Sequence, residues 1–512
     1  MVRTMAPQPT MIERQARLLV RVLTWLFFRR IEVAGTEHLP SDRGALLVAW
    51  HPNGIVDPGL IFARCPHRVV FGAAHGLFRW PGFGTLLRAL GTVPVYRRQD
   101  AGSRNIDSLR QRNESSLDQL ATAIADGSYS ALFPEGMSHD EPHPLSLKTG
   151  AARLYYRARA VREAGSPPPQ IIPVGLHYDR KQLYRSNALV EFHAPLDLAE
   201  ALDVDPPDDE GEQASRDRCR ALTDRIEEAL NRASLATENW QLHTLMHRAR
   251  KLIRAERAHR AGADPGRVAI DEKILGMARI WTGYQERLTT DPAHVETLVH
   301  RVAEYDADLA ALGIEDHELD HAPRLMSLWL PLLLLLQLVG VFLFLPPIVL
   351  AGYILNLPTA LGITALCKVA ARERKDEASI KVLVGAVAFP LTWALWMALA
   401  AWGQLEAYQF FPGLPRAPLQ AAGSVLAMAV IGGALSLRYL RVAQETLRSV
   451  RVRLTRRLRT RAVARLRQER HLLHDALIAI AEGVDLPGAV ADDGRITTAV
   501  DTAPVPEGEA SP

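Results

Sequence analysis

His51 and Asp57 flank the sharpest change of character in the chain, where the apolar run Leu46 to Trp50 breaks into Pro52, Asn53 and Gly54. A buried strand that stops at His51 carries an imidazole to the rim of a sheet. The turn residues let the chain bend and bring Asp57 back towards the ring. A carboxylate there can keep one imidazole nitrogen protonated and leave the other to take a proton from a hydroxyl. Alone, the pair reads equally well as a turn with a polar side chain. Three later stretches repeat the pattern of a strand ending in chemistry. GTVPVYRR, Gly91 to Arg98, delivers two guanidinium groups, Arg97 and Arg98, whose fork suits a phosphate. FPEGMS, Phe133 to Ser138, ends a strand in Pro134, Glu135 and Gly136, and a glycine admits close approach of backbone to ligand. IIPVG, Ile171 to Gly175, is an apolar strand whose Pro173 and Gly175 suit the floor of a pocket.

The elements that must position these groups are short. Apolar runs at 45–50, 68–73, 92–96, 129–133, 171–177 and 188–193 predict strands, and helical patterns such as 113–125 and 147–159 fill most gaps between them. The expectation for residues 31–205 is an α/β domain layered about a mixed sheet. No GxxxxGK[ST] occurs, and no GxGxxG follows a strand, so a phosphate loop is excluded. Ahead of this domain, in residues 1–30, Ile12, Ala16, Leu19, Leu23, Leu26 and Phe27 share one helical face and Arg14, Arg17 and Arg21 the other. That pattern predicts a helix at a membrane interface or packed on the domain. PPDDEGE at 206–212 opens a charged, strand-poor helical extension to 325.

The chain has 512 residues, a net charge of +3 and 48% hydrophobic residues, an apolar content concentrated late in the chain. Residues 326–440 predict a transmembrane region: an apolar stretch from Ser327 to Cys367, then spans at 382–402 and 421–437. Basic loops placed in the cytoplasm give an even number of crossings with both ends and the catalytic domain inside. Residues 441–488 predict a basic juxtamembrane helix, and 489–512 a disordered tail. The arginines of 438–470 run directly out of a span without aromatic interleaving, which argues against a nucleic-acid partner. Cys65, Cys219 and Cys367 are far apart, which argues for a reducing compartment and against a disulfide framework. Arg21 interrupts the only apolar N-terminal run, so no cleavable signal is expected. Much arginine with little lysine suggests a GC-rich bacterial genome, hence the inner membrane.

In this order and spacing, HPNGIVD, GTVPVYRR, FPEGMS and IIPVG resemble the four ordered blocks of the phospholipid/glycerol acyltransferase family. The usual first block has four residues between His and Asp; this chain has five, Pro52 to Val56, followed by Asp57 and Pro58. That departure, the helical stretch YDADLAALGIEDHEL at 305–319 and the C-terminal spans resemble the subgroup that acylates glycerol-3-phosphate or dihydroxyacetone phosphate. The resemblance implies a membrane O-acyltransferase in which His51 is the general base and Asp57 orients it. An acceptor hydroxyl then attacks an acyl thioester, acyl-CoA or acyl carrier protein, with no cofactor and no metal. Arg97 or Arg98, Glu135 and Gly136 are expected at the glycerol phosphate, with Lys148 as a second phosphate candidate. Asn53, Gly54, Pro134, Ser138, Pro173 and Gly175 are expected to line the pocket. The implied acceptor is glycerol-3-phosphate, with lysophosphatidate the alternative, and the implied partner is the lipid bilayer into which the product passes.

Three other readings compete. Ser138 beside His139 suggests a hydrolase but lacks the second glycine of a nucleophile elbow. HDEPH at 139–143 and DHELDH at 316–321 could hold a divalent metal, though such runs are more often solvated. A membrane scaffold or transporter with a degenerate head is weakened by spans whose charges lie only near their ends.

Overall fold

The computed structural model describes residues 10–79, 82–96, 106–178, 186–206, 211–263, 270–320, 339, 345–370, 374–411, 413 and 415–497. The chain divides into two compact units, Met1–His243 with Glu373–Ser379, and Thr244–Arg372 with Ile380–Pro512.

In the first unit the described strands are β1 (Arg30–Ala34), β2 (Ala45–Ala49), β3 (Val69–Ala74), β4 (Val93–Val95), β5 (Tyr129–Leu132), β6 (Gln170–Tyr178) and β7 (Asn187–Phe192). They form one mixed sheet in the order β1-β7-β6-β2-β5-β3-β4. The pairs are parallel except β6 with β7. Every residue of β2 is buried, as expected of a central strand covered on both faces. One face is covered by α4 (Ile106–Ala125), α5 (Gly150–Val161) and α6 (Glu212–Ser234), through a core that includes Leu46, Val48, Leu120, Leu154, Ile171 and Leu222. Side chains alternate across a strand, so residue 51 continues the opposite face from Leu46 and Val48.

Two elements were not foreseen. β1, with the alternating sequence RIEVA, is an edge strand paired to β7. Val56–Arg64 forms a helix, α2, in a stretch where no element was expected beyond the turn at Pro52 to Gly54. Pro58 sits in the first turn, where a missing N–H costs nothing.

α1 (Met11–Phe27) packs on α2 with Arg17 inward and Arg21 reaching across to it. Arg17 NH1 donates to Cys65 O at 2.6 Å, its NH2 to His67 O at 2.8 Å, and Arg21 Nε to Ala63 O at 2.9 Å. These carbonyls close the end of α2, where a helix leaves acceptors unpaired. A capping box, Thr10 with Glu13, starts α1, and Glu13 also takes Arg68. The expected apolar stripe is divided: Ala16 and Phe27 are buried, whereas Ile12, Leu19 and Leu26 are exposed beside Leu18 (63%) and Trp25 (61%).

In the second unit the helices are α7 (Trp240–Arg260, from Thr244 on), α8 (Ile270–Thr290), α9 (Pro292–Leu312), α10 (Leu345–Ala370), α11 (Arg374–Phe410, from Ile380 on), α12 (Pro418–Leu458) and α13 (Thr460–Ile480). Among the described residues three stretches are long and apolar enough to cross a membrane, Val349–Lys368, Ile380–Phe410 and Pro418–Ser436. Residues 327–338 and 340–344 of the first expected apolar stretch lie outside the described residues. Asn356 joins the three spans. Its Nδ2 donates to Gly352 O and Ala429 O, both at 2.8 Å, and its Oδ1 accepts from Trp393 Nε1 at 2.9 Å. α10 and α12 approach so closely at Gly352 that a Cβ there would fall within the backbone of Gly432.

The arginine-rich stretch is not a solvated juxtamembrane helix throughout. α13 packs on α9, and Val463, Leu466 and Leu473 join Ala249, Leu298 and Leu309 in the core of this unit. Arg470 has no exposed surface: its Nε meets Glu256 Oε2 at 2.9 Å and its NH1 Asp320 Oδ2 at 2.6 Å. Asp316 accepts from Arg248 at 2.7 Å and from Tyr305 at 3.0 Å. Asp316 and Asp320 of the DHELDH run are thus engaged by arginines of α7 and α13, and Glu318 accepts from Glu315 N–H at 2.8 Å; His321 lies outside the described residues. The expected disordered tail is ordered at its start, where β8 (Ala489–Val490) and β9 (Ile496–Thr497) pair and Ile496 is buried.

Candidate active site

The carboxyl ends of β2, β5 and β6 place the reactive groups. β2 ends at Ala49, Trp50 anchors its indole to Leu176 O at 3.1 Å, and His51 follows at the rim. Gly54 adopts a left-handed φ of 51°, which turns the chain into α2 and returns Asp57 to the imidazole. His51 Nδ1 lies 2.9 Å from Asp57 Oδ2. Asp57 is wholly buried, and a carboxylate at this position can only accept, an arrangement that suits the tautomer with the proton on Nδ1 and the lone pair on Nε2. Asn53 N–H donates to the same Oδ2 at 2.7 Å, so the five-residue spacing is met by the turn and its main chain. The imidazole stacks on Phe133, centroids 4.1 Å apart, and is 13% exposed.

Glu135 was expected to face the glycerol. Its carboxylate is instead taken up inside the site: Oε1 accepts from His51 N–H at 2.8 Å, Oε2 from Leu145 N–H at 2.9 Å, and His139 Nε2 also reaches Oε2. At 2% exposure it fixes the main chain of the base to the end of β5. Gly136 has φ of 75°, and Lys148 lies across it where a Cβ would stand. Lys148 itself is exposed, two residues before α5 begins, and its N–H donates to Pro134 O at 2.9 Å.

His139 cannot serve Ser138 as a base. Its Nδ1 accepts from Glu141 N–H at 3.2 Å and its Nε2 faces Glu135, which leaves no nitrogen lone pair for a serine hydroxyl. Its N–H donates to His51 O at 3.1 Å, so it braces the site. Pro173 and Gly175 lie in the middle of β6, and Gly175 is pressed against Ala233 O of α6 and the ring of His177. They occupy the face of β6 opposite to Tyr178, so they do not join the His51–Asp57 side. Arg97 and Arg98 lie outside the described residues. The residue before them is held firmly: Asn113 brackets Tyr96 by accepting from its N–H at 2.9 Å and donating to its carbonyl at 2.8 Å.

Tyr178 was missed. Its hydroxyl donates to Asp57 Oδ1. Burial first, then the Asp57 carboxylate, raises the phenol well above its usual pKa of 10. The period of two along β6 was the available signal, since it puts residue 178 on the face away from Pro173.

Residues 30–177 match the Acyltransferase family model, and residues 267–485 match the glycerol-3-phosphate acyltransferase 2 C-terminal domain. An uncharacterised acyltransferase of Schizosaccharomyces pombe is 23% identical, with 79% of this chain and 70% of that protein covered. Glycerol-3-phosphate O-acyltransferase 1 of Saccharomyces cerevisiae is 22% identical, with 75% of this chain and 61% of that protein covered. Glycerol-3-phosphate O-acyltransferase 2 of the same yeast is 26% identical, with 52% of this chain and 34% of that protein covered. A solved structure, the 1-acyl-sn-glycerophosphate (LPA) acyltransferase PlsC from Thermotoga maritima, is 22% identical over 43% of this chain and 79% of that one. Its TM-score is 0.30. The first matched region contains His51, Asp57 and Glu135 and the second follows it in the same chain, so the protein carries an acyltransferase domain at 30–177 and, after it, a domain matching the glycerol-3-phosphate acyltransferase 2 C-terminal model.

Proposed function

We propose that the protein transfers a fatty acyl group from an acyl thioester to a hydroxyl of sn-glycerol-3-phosphate, at the membrane where the product is used. The observation that carries the chemistry is the His51–Asp57 pair with a free Nε2 at the sheet rim. Nε2 takes the proton of the acceptor hydroxyl as its oxygen bonds to the thioester carbon. The tetrahedral intermediate collapses with loss of the C–S bond, and the imidazolium returns its proton to the departing thiolate. Asp57 stabilises the imidazolium between the two transfers.

The acceptor rests on the second matched region and on the names of the yeast relatives. Lys148 beside Gly136 and the two arginines after Tyr96 are the proposed phosphate ligands. β4 lies three strands from β2 in the sheet, about 14 Å at ~4.8 Å per strand, so an arginine must reach inwards to share a small acceptor with His51. The purified full-length enzyme in nanodiscs, offered acyl-CoA or acyl carrier protein with glycerol-3-phosphate, dihydroxyacetone phosphate and lysophosphatidate in competition, tests the assignment. The expected main product is the monoacylated glycerol phosphate; a strict preference for lysophosphatidate overturns it.

The multi-pass, cytoplasm-facing placement in a bacterial inner membrane belongs to the same proposal, as does the role of α1. Its outward apolar face, centred on Leu18 and Val22 and flanked by Trp25, fits a helix lying in the lipid interface. The native cysteines are buried, and burial pushes the Cys65 thiol up to about 12, so a Leu18→Cys variant can be labelled selectively. The label is expected to emit as in a lipid interface and to be quenched by brominated lipid; emission as in water removes α1 from the bilayer.

A further inference from the structure

The proposed base needs Asp57 ionised, oriented and only moderately attractive to a proton, and Asp57 is buried where water cannot supply those conditions. Its two oxygens are filled from three directions. Oδ2 accepts from His51 Nδ1 and from Asn53 N–H, and Oδ1 accepts from the hydroxyl of Tyr178. The phenol reaches in from the last residue of β6, and its ring lies parallel to that of the buried Phe28, centroids 5.9 Å apart.

We infer that Tyr178 is a positioning residue that sets the basicity of His51 through Asp57. A phenol hydrogen bond draws charge off a carboxylate, and the carboxylate then holds the imidazolium proton less tightly. It also fixes the carboxylate plane, so that Oδ2 stays in line with Nδ1. Other groups face the same pair. Glu135 accepts from the main-chain N–H of His51 and braces against His139; Lys148 lies across Gly136. Neither Glu135 nor His139 is bonded to the imidazole, so Tyr178 is the group that can tune it through Asp57. Tyr178 remains protonated at the pH of the reaction, since burial and Asp57 both oppose its ionisation.

The inference rests on the reading of His51 as the base, and two independent readouts keep the two apart. Tyr178→Phe removes one oxygen and keeps the ring against Phe28. Its kcat is expected to fall about tenfold with acceptor KM within about twofold, and the acid limb of kcat/KM to move up by about half to one pH unit. Replacing Tyr178 with 3-fluorotyrosine, a more acidic donor of nearly the same shape, moves the limb down. Phe28→Leu keeps the hydroxyl and loosens the ring; it lowers the melting temperature and leaves the limb in place. Turnover is not needed to read the same pKa. The rate at which diethyl pyrocarbonate modifies His51 in the intact protein, mapped by mass spectrometry across pH, reports it directly. In this assay too the Tyr178→Phe midpoint moves up and the fluorotyrosine midpoint down. Midpoints that stay with the parent, or move with the melting temperature across all three variants, overturn the inference. A parent protein that transfers no acyl group while its midpoints still move overturns the reading of the enzyme and leaves Tyr178 in place. If Tyr178→Phe fails to fold, the fluorotyrosine enzyme decides alone.

Discussion

His51→Ala is expected to lower kcat/KM for acyl transfer by about 10² to 10⁴, the span of a positioned general base, while the protein still inserts and melts as the parent does. The site tolerates the loss because the imidazole has few structural duties. It stacks on Phe133 and donates to Asp57, whose oxygens keep the Asn53 N–H and the Tyr178 hydroxyl. The Glu135 bond is made by the main chain of residue 51 and survives the substitution. Steady-state rates with saturating thioester, beside a melting curve, give the comparison. Full activity in His51→Ala would remove the base from the mechanism.

The second large effect falls on stability. Arg470→Ala takes away the cation between Glu256 and Asp320, all three of which are buried. An unpaired buried charge typically costs about 3–5 kcal/mol, well above what an exposed pair contributes. Hydrogen exchange of the α13 amides in the full chain is the measurement, with faster exchange by the factor that this energy implies; unchanged protection rejects the prediction. The same network predicts acid sensitivity. Although burial opposes it, His471, Arg260 and Arg470 pull the Glu256 carboxyl down to about 2. A depressed folded pKa contributes stability that is complete above the unfolded value near 4.5 and is lost as pH falls towards 2. Arg470→Ala narrows that window from below.

The strands that carry the site were legible because they are parallel and covered on both faces, so β2 and β6 read as almost unbroken apolar runs. β1 was not, since an edge strand of five residues with alternating charge has no such run. α2 was hidden by the turn residues Pro52 to Gly54 directly before it and by its own Pro58 and Gly59, which weaken a helical pattern yet are tolerated early in a helix. His51 and Asp57 could be paired from the turn between them. The bonds that Glu135, His139 and Tyr178 make are long-range, 84 residues from His51 to Glu135 and 121 from Asp57 to Tyr178, and no local spacing encodes them. α1 showed an apolar and a basic face in sequence, but the surface it buries draws on both, Ala16 and Phe27 from one and Arg17 from the other. Exposed carbonyls at the end of α2 decided that, and they are main-chain atoms that no side-chain pattern records.

Asn356 bears on the order in which the membrane part can assemble. A span inserted by itself leaves the outward amide without its partners on other helices, because the Ala429 carbonyl is on α12 and the Trp393 indole on α11. Each such bond is worth about 0.6 to 2 kcal/mol once made within a bilayer. Either neighbour alone satisfies only one of the two, so the second arrival completes the amide and locks the rotation of α10 about its own axis. The three helices therefore set as a group.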